Sequence, residues 1–140
     1  MSNVHKLPVR IYYEDTDAGG IIYHANYLKF AERGRTELLR DCGYENLGLQ
    51  HDPGILFVVR HAENDYLKPG VLDDMLEMQS TITIMKNTSF VMEQNLIRTQ
   101  DQTILCKMKI TLVCVDVNSI KPVRIPNDIR KKFEAFMEST

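Results

Sequence analysis

The chain has 140 residues with 17 basic and 19 acidic side chains, a net charge of −2, and a composition 44% hydrophobic and 26% charged. That length corresponds to one domain with a single buried core. The slight acidity excludes the basic footprint that non-specific nucleic-acid binding needs. No stretch approaches the roughly 18 apolar residues that would span a bilayer, and no apolar signal-like segment follows Met1. The expectation is therefore one domain over residues 1–140, cytoplasmic, with no transmembrane segment. Cys42, Cys106 and Cys114 show no CxxC spacing, and they read as reduced, buried small hydrophobes rather than metal ligands or catalytic thiols.

In chain order, Leu7 to Tyr13 reads as a first strand, with Pro8 placing its start at a sheet edge. An acidic, glycine-rich turn follows. From Asn26 to Cys42 the small and apolar residues Tyr27, Leu28, Ala31, Gly34, Leu38, Leu39 and Cys42 fall on one helical face. Gly43 ends that helix. Gly34 on the apolar face lowers helix propensity, which predicts a close approach to the backbone at that point. Residues 44–54 read as a loop. A second strand opens at Ile55 and runs to Tyr66 or Leu67, and Pro69-Gly70 turns the chain.

Alternation then takes over. Leu76, Met78, Ile82 and Ile84 oppose Glu77, Gln79, Thr81 and Thr83. Further runs cover 89–99 and 103–116, joined by the short turns Lys86-Asn87-Thr88 and Gln100-Asp101-Gln102. That is an antiparallel meander with one face buried. Beyond Pro122 and Pro126 a short closing helix can dock Ile129, Phe133, Phe136 and Met137. Strand, long helix, then four strands gives an α+β fold, with the helix on the concave side of the sheet.

The chemistry concentrates in Asp15-Thr16-Asp17-Ala18-Gly19-Gly20. As an EF-hand loop it would need a bidentate Glu where Asn26 stands and a helix where a strand precedes. As an aspartyl-phosphatase DxD turn it lacks the repeated strand–helix units of a doubly wound sheet. The third reading is an acyl-transfer site. Asp17 stands just before the helix, Gly19 and Gly20 let a substrate approach the backbone, and the N–H groups near Tyr23, His24 and Ala25 meet a carbonyl oxygen. The bland alternative is that Asp15 or Asp17 only caps a turn. Spacing alone balances the two; the Tyr23-His24-Ala25-Asn26-Tyr27 run tips the reading towards a site.

The segment Tyr13-Glu14-Asp15-Thr16-Asp17-Ala18-Gly19-Gly20-Ile21-Ile22-Tyr23-His24-Ala25-Asn26-Tyr27, followed by Phe30-Ala31-Glu32-Arg33-Gly34-Arg35-Thr36-Glu37, resembles the Tol–Pal-associated acyl-CoA thioesterases. These belong to the hotdog family that includes 4-hydroxybenzoyl-CoA thioesterase. The resemblance continues at Asp65-Tyr66-Leu67-Lys68-Pro69, Thr88-Ser89-Phe90 and Lys121-Pro122-Val123-Arg124-Ile125-Pro126. It implies a hotdog fold, an antiparallel sheet wrapped around one long central helix, and hydrolysis of an acyl-CoA without metal or redox cofactor.

By the same resemblance Asp17 is the catalytic carboxylate, as nucleophile or general base. The oxyanion donor is the backbone N–H at His24, whose imidazole is an orienting group. Tyr23 is expected to line the acyl pocket, Asn26 to cap the helix, and Glu14 and Asp15 to fix the turn. Hotdog subunits pair as homodimers or homotetramers, so His61 and the neighbouring Val58–Arg60 are expected to reach the site from a partner chain. The turn carrying Lys86 and Ser89 matches the family's nucleotide-contacting turn but keeps one basic residue where the benzoyl enzyme has several. That departure leaves room for acyl carrier protein as the substrate's carrier, unless Lys121 and Arg124 compensate. Rivals are a hotdog enoyl-thioester hydratase using His24, and a non-catalytic acyl-thioester binding module of a lipid or envelope complex.

Overall fold

Period-two alternation becomes five antiparallel strands in the computed structural model, which describes residues 3–137. The strands are β1 (His5–Arg10), β2 (Ile55–Tyr66), β3 (Met75–Met85), β4 (Ser89–Arg98) and β5 (Thr103–Asp116). They lie in the order β1-β3-β4-β5-β2, which puts β1 with its Pro8 at one edge and β2 at the other. The inward residues Leu76, Met78, Ile82, Met92, Leu96, Met108 and Ile110 form one core with the long helix α1 (Ala25–Asp41). This is the hotdog architecture that the family resemblance implies. Among the described residues no helix is long and apolar enough to cross a membrane.

The buried face of α1 is Asn26, Tyr27, Phe30, Ala31, Gly34, Leu38 and Leu39. Leu28, expected inside, is 40% exposed, and Phe30 fills the core in its place. The reason for Gly34 is direct. A Cβ there would stand 2.8 Å from Met78 Cγ, 3.2 Å from Gln94 Nε2 and 3.4 Å from Ser80 Oγ, so the helix lies on the sheet with no room for a methyl.

Two local expectations are corrected. The 44–54 segment contains a short helix, α2 (Asn46–His51), which buries Leu49 against the core. A bulge between Ile82 and Ile84 inserts one residue into β3 and turns Ile84 to the outer face, where it is exposed. The closing helix α3 (Asn127–Phe133) docks as expected. Phe133 packs its ring 5.2 Å from Phe90 and 5.9 Å from Phe57. Arg130 donates to the carbonyls of Lys86 (2.8 Å) and Asn87 (3.1 Å), bracing the β3–β4 turn. All three cysteines are buried free thiols.

Strand β2 sets up the surface that matters for the site. It pairs with β5 on one side, and Val59 to Glu63 are exposed along its length. Tyr66, at its far end and still about half exposed, lies beside the start of α1.

Candidate active site

Residues 16–22 form a tight hairpin. Thr16 pairs with Ile22, the Asp17 N–H donates to the Ile21 carbonyl at 2.9 Å, and Gly20 takes φ +77°, a conformation suited to glycine. Inside this loop Asp17 Oδ1 accepts from the Gly19 N–H at 2.9 Å and the Ile21 N–H at 3.4 Å. Asp17 Oδ2 meets no donor among the described residues, and the side chain is exposed. One oxygen thus fixes the carboxylate while the other stays open. The hairpin is itself tied down, because the Ile22 N–H donates to Gly70 O at 2.9 Å and the Leu72 N–H to Gly20 O at 3.0 Å.

The return strand of the hairpin runs directly into α1. Tyr23 N–H donates to Asp15 O (3.0 Å) and Asn26 N–H to Tyr23 O (2.9 Å). The two N–H groups between them, of His24 and Ala25, meet no acceptor among the described residues. These are the orphan donors expected at a helix start, carrying its positive dipole end. Of the three donors foreseen, Tyr23 is therefore withdrawn and His24 and Ala25 remain. His24 occupies the N-cap position with helical dihedrals. Its ring lies 4.8 Å from Tyr23 and 6.1 Å from Tyr66, whose ring is in turn 5.5 Å from Tyr27. Tyr27 Oη accepts from the Gly70 N–H at 3.2 Å, and burial pushes its phenol pKa up, so it stays neutral.

Asn26 is not the cap. It is the second residue of α1, buried, and its Nδ2 donates to Asp15 O at 2.9 Å. It holds the acidic turn to the helix. Asp15 does fix the turn, its Oδ2 accepting from the Tyr12 N–H at 2.9 Å.

The geometry is that of an exposed carboxylate and a helix-start donor pair on one braced loop. The sequence model of the thioesterase-like superfamily matches residues 12–133, from this loop to α3. The chain belongs to the thioesterase-like superfamily. It is 42% identical over 133 residues to the acyl-CoA thioester hydrolase YbgC of Escherichia coli O6:H1, covering 95% of this chain and 98% of that protein. It is 38% identical to the acyl-CoA thioesterase YbgC of Haemophilus influenzae, over 95% of this chain and 96% of that one. Among solved structures, a probable thioesterase from Bartonella henselae superposes with a TM-score of 0.83 at 36% identity, covering 88% of this chain and 99% of that chain.

Other expected residues of this thioesterase gather elsewhere. His61, Lys86 and Ser89 line one shallow depression on the outer face of the sheet, together with Arg60 and Lys109. His61 is exposed and hydrogen-bonded to Glu63 Oε1 at 3.1 Å, and Ser89 is buried with its carbonyl accepting from the Lys86 N–H at 2.8 Å. Lys121 and Arg124 are exposed and do not line it. Arg60 and Lys109 place two further basic side chains in the depression beside Lys86.

A third feature went unread in the sequence. A pocket of about 430 Å³ opens between the second half of α1 and the start of β2, with Phe57, Val59, Phe90 and Phe133 on its apolar side and Glu32 and Gln50 on its polar side. Arg35 lines it. Arg35 Nη1 donates to Gln94 Oε1 at 3.0 Å, and Gln94 Nε2 donates to Ala31 O (2.9 Å) and Ser80 Oγ (3.0 Å). The signal was present: Gln94 and Ser80 are polar residues at inward positions, between Met92 and Leu96 and between Met78 and Ile82.

Proposed function

We propose that this thioesterase hydrolyses a small or medium acyl-CoA to the free acid and CoA, with Asp17 as nucleophile or general base. The observation that carries the reading is the pairing, on one braced loop, of the open Asp17 oxygen with the unoccupied His24 and Ala25 N–H groups. Those N–H groups accept the charge that builds on the thioester oxygen as the carbonyl carbon becomes tetrahedral. By one route the Asp17 carboxylate adds to that carbon, the C–S bond breaks, and water cleaves the resulting anhydride. By the other it removes a proton from the water that attacks. In both the thiolate leaves and takes up a proton. The imidazole of His24, held between Tyr23 and Tyr66, orients the acyl group or the water.

The site reads as complete only in a homodimer. The β2 edge is open from Val59 to Glu63, and antiparallel pairing of two such edges about a two-fold axis near His61 is the simplest closure. Val59 to Tyr66 spans about 23 Å of strand at ~3.3 Å per residue, so each chain's apolar pocket lies far along β2 from its own Tyr66. The same pairing brings the partner's Tyr66, and with it the partner's Asp17 loop, beside Leu56 and that pocket. The acyl group then enters one subunit's pocket while the other subunit's Asp17 cleaves it. Arg60, Lys86 and Lys109 receive the CoA phosphates on the outer face.

The test is thiol release from short, medium and long aliphatic and aromatic acyl-CoA thioesters. Turnover of short and medium chains is expected. Absence of turnover across the panel would overturn the reading.

A further inference from the structure

The apolar pocket carries one feature that an alkyl chain does not need. Arg35 is half-buried, yet no carboxylate oxygen lies within 4.0 Å of it among the described residues. Glu32, one helical turn earlier and exposed, lines the outer part of the same pocket and acts on Arg35 through space, with no ion-pair contact to it within 4.0 Å. A guanidinium offers five N–H donors, and a single bond, to Gln94, holds this one. Gln94 is fully buried and pinned by Ala31 O and Ser80 Oγ, so it fixes the guanidinium without neutralising it. Gly34 is what makes this possible, since a side chain there would meet both Gln94 and Ser80.

The surroundings make the open donors consequential. Burial lowers the Arg35 pKa, partly offset by Glu32, as expected for a partly desolvated cation. A purely hydrocarbon tail filling the pocket would strip water from the guanidinium donors that Gln94 does not take and offer them no acceptor, which is unfavourable. A tail ending in an anion would replace that water with charge-assisted hydrogen bonds, bidentate for a carboxylate.

We infer that Arg35 is a specificity-determining residue that receives a terminal carboxylate on the acyl group, so that the favoured substrates are ω-carboxyacyl thioesters rather than plain alkyl ones. The inference rests on the thioesterase reading above and names the substrate class for that site.

The experiment compares kcat/KM for adipoyl- and suberyl-CoA with hexanoyl- and octanoyl-CoA, after subtracting the uncatalysed rate, in wild type, Arg35→Met and Arg35→Lys. The expected result is a wild-type preference for the carboxylated member of at least about tenfold, equivalent to ~1.4 kcal/mol. In Arg35→Met that preference disappears or inverts, with the loss in KM for the carboxylated substrates. Arg35→Lys, which keeps the charge without the fork, retains part of it. Circular dichroism melts show whether each variant is folded. Should Arg35→Met fail to fold, the Arg35→Lys ratio and the wild-type preference decide the matter. A wild type that cleaves both series without preference, or a ratio unmoved by Arg35→Met, overturns this inference and leaves the thioesterase reading intact. A wild type that cleaves neither overturns both.

Discussion

Asn26→Asp changes one atom type at the point where the acidic turn is held to the helix. Asn26 Nδ2 donates to Asp15 O at 2.9 Å, the residue is buried, and Asp15 O also receives the Tyr23 N–H at 3.0 Å. Truncation to Ala removes one hydrogen bond and a few atoms while the carbonyl keeps its other donor, a loss of ~1–2 kcal/mol. The Asp substitution is isosteric but turns a donor into a buried anion facing a carbonyl oxygen. The repulsion and the unpaired charge together cost about 3 kcal/mol or more at neutral pH. Asn26→Asp should therefore be less stable than Asn26→Ala, although it removes no volume.

The sign with pH is also fixed. Burial beside a carbonyl raises the folded-state pKa of the new carboxyl above its unfolded value near ~3.9. Its penalty is therefore greatest above the folded pKa and shrinks as pH falls through it, where the protonated acid donates again. Urea unfolding from pH 8 to pH 5 checks this, with Asn26→Asp gaining on Asn26→Ala as the solution is acidified. Equal stability of the two variants, or a gap independent of pH, would refute the assignment of Asn26 as the strut of the loop.

The cysteines make a second test. Burial pushes Cys42, Cys106 and Cys114 up to about 11. The neutral thiol is the form the fold favours, so its contribution is complete below the ordinary thiol pKa of ~8.5 and is lost as pH rises towards 11. A thiol reagent at pH 8 should leave the folded protein unlabelled and label it once denatured. The melting temperature should decline above pH 9, with a flatter decline after Cys→Ala substitution at all three positions; rapid labelling of the native protein would contradict the burial. The composite site is tested by subunit mixing. In the proposed dimer arrangement, Asp17→Asn homodimers are nearly inactive and Arg35→Met homodimers are impaired on carboxylated substrates, while a mixed dimer contains one site with a native Asp17 loop from one chain and a native pocket from the other. Mixing should raise turnover of the carboxylated substrate above the sum of the two homodimers and restore the wild-type substrate preference. No recovery after demonstrated subunit exchange would place both residues in a single chain's site.

Much of this was legible because it rests on period. Strand alternation and the helical stripe placed β2 to β5 and α1 within a residue or two, while β1 ends at Arg10 rather than Tyr13, which belongs to a 3-10 turn. Gly34 signalled the close approach that Met78, Ser80 and Gln94 enforce. What escaped was whatever a single residue decides. One inserted residue at the β3 bulge turned Ile84 outward against its own hydrophobicity. Asn26 has a strong capping propensity, yet it stands as the second residue of α1, where Asp15 O accepts from its amide. Arg35, Gln94 and Ser80 come from three elements, and their meeting is a tertiary fact that no local spacing encodes. Tyr66 lay inside a motif that carried the resemblance, but its place beside His24 depends on where β2 ends relative to α1.

The central claim, that the Asp17 carboxylate drives thioester hydrolysis at the start of α1, is tested most directly by thiol release from the best acyl-CoA substrate in Asp17→Asn against wild type. The carbonyl of Asn keeps the acceptor for the Gly19 and Ile21 N–H groups, so the loop should survive while the base or nucleophile is lost. The account predicts a fall in kcat of about 10²–10⁴-fold, with KM changed little. A variant within a few-fold of wild type would contradict it and move the chemistry off Asp17.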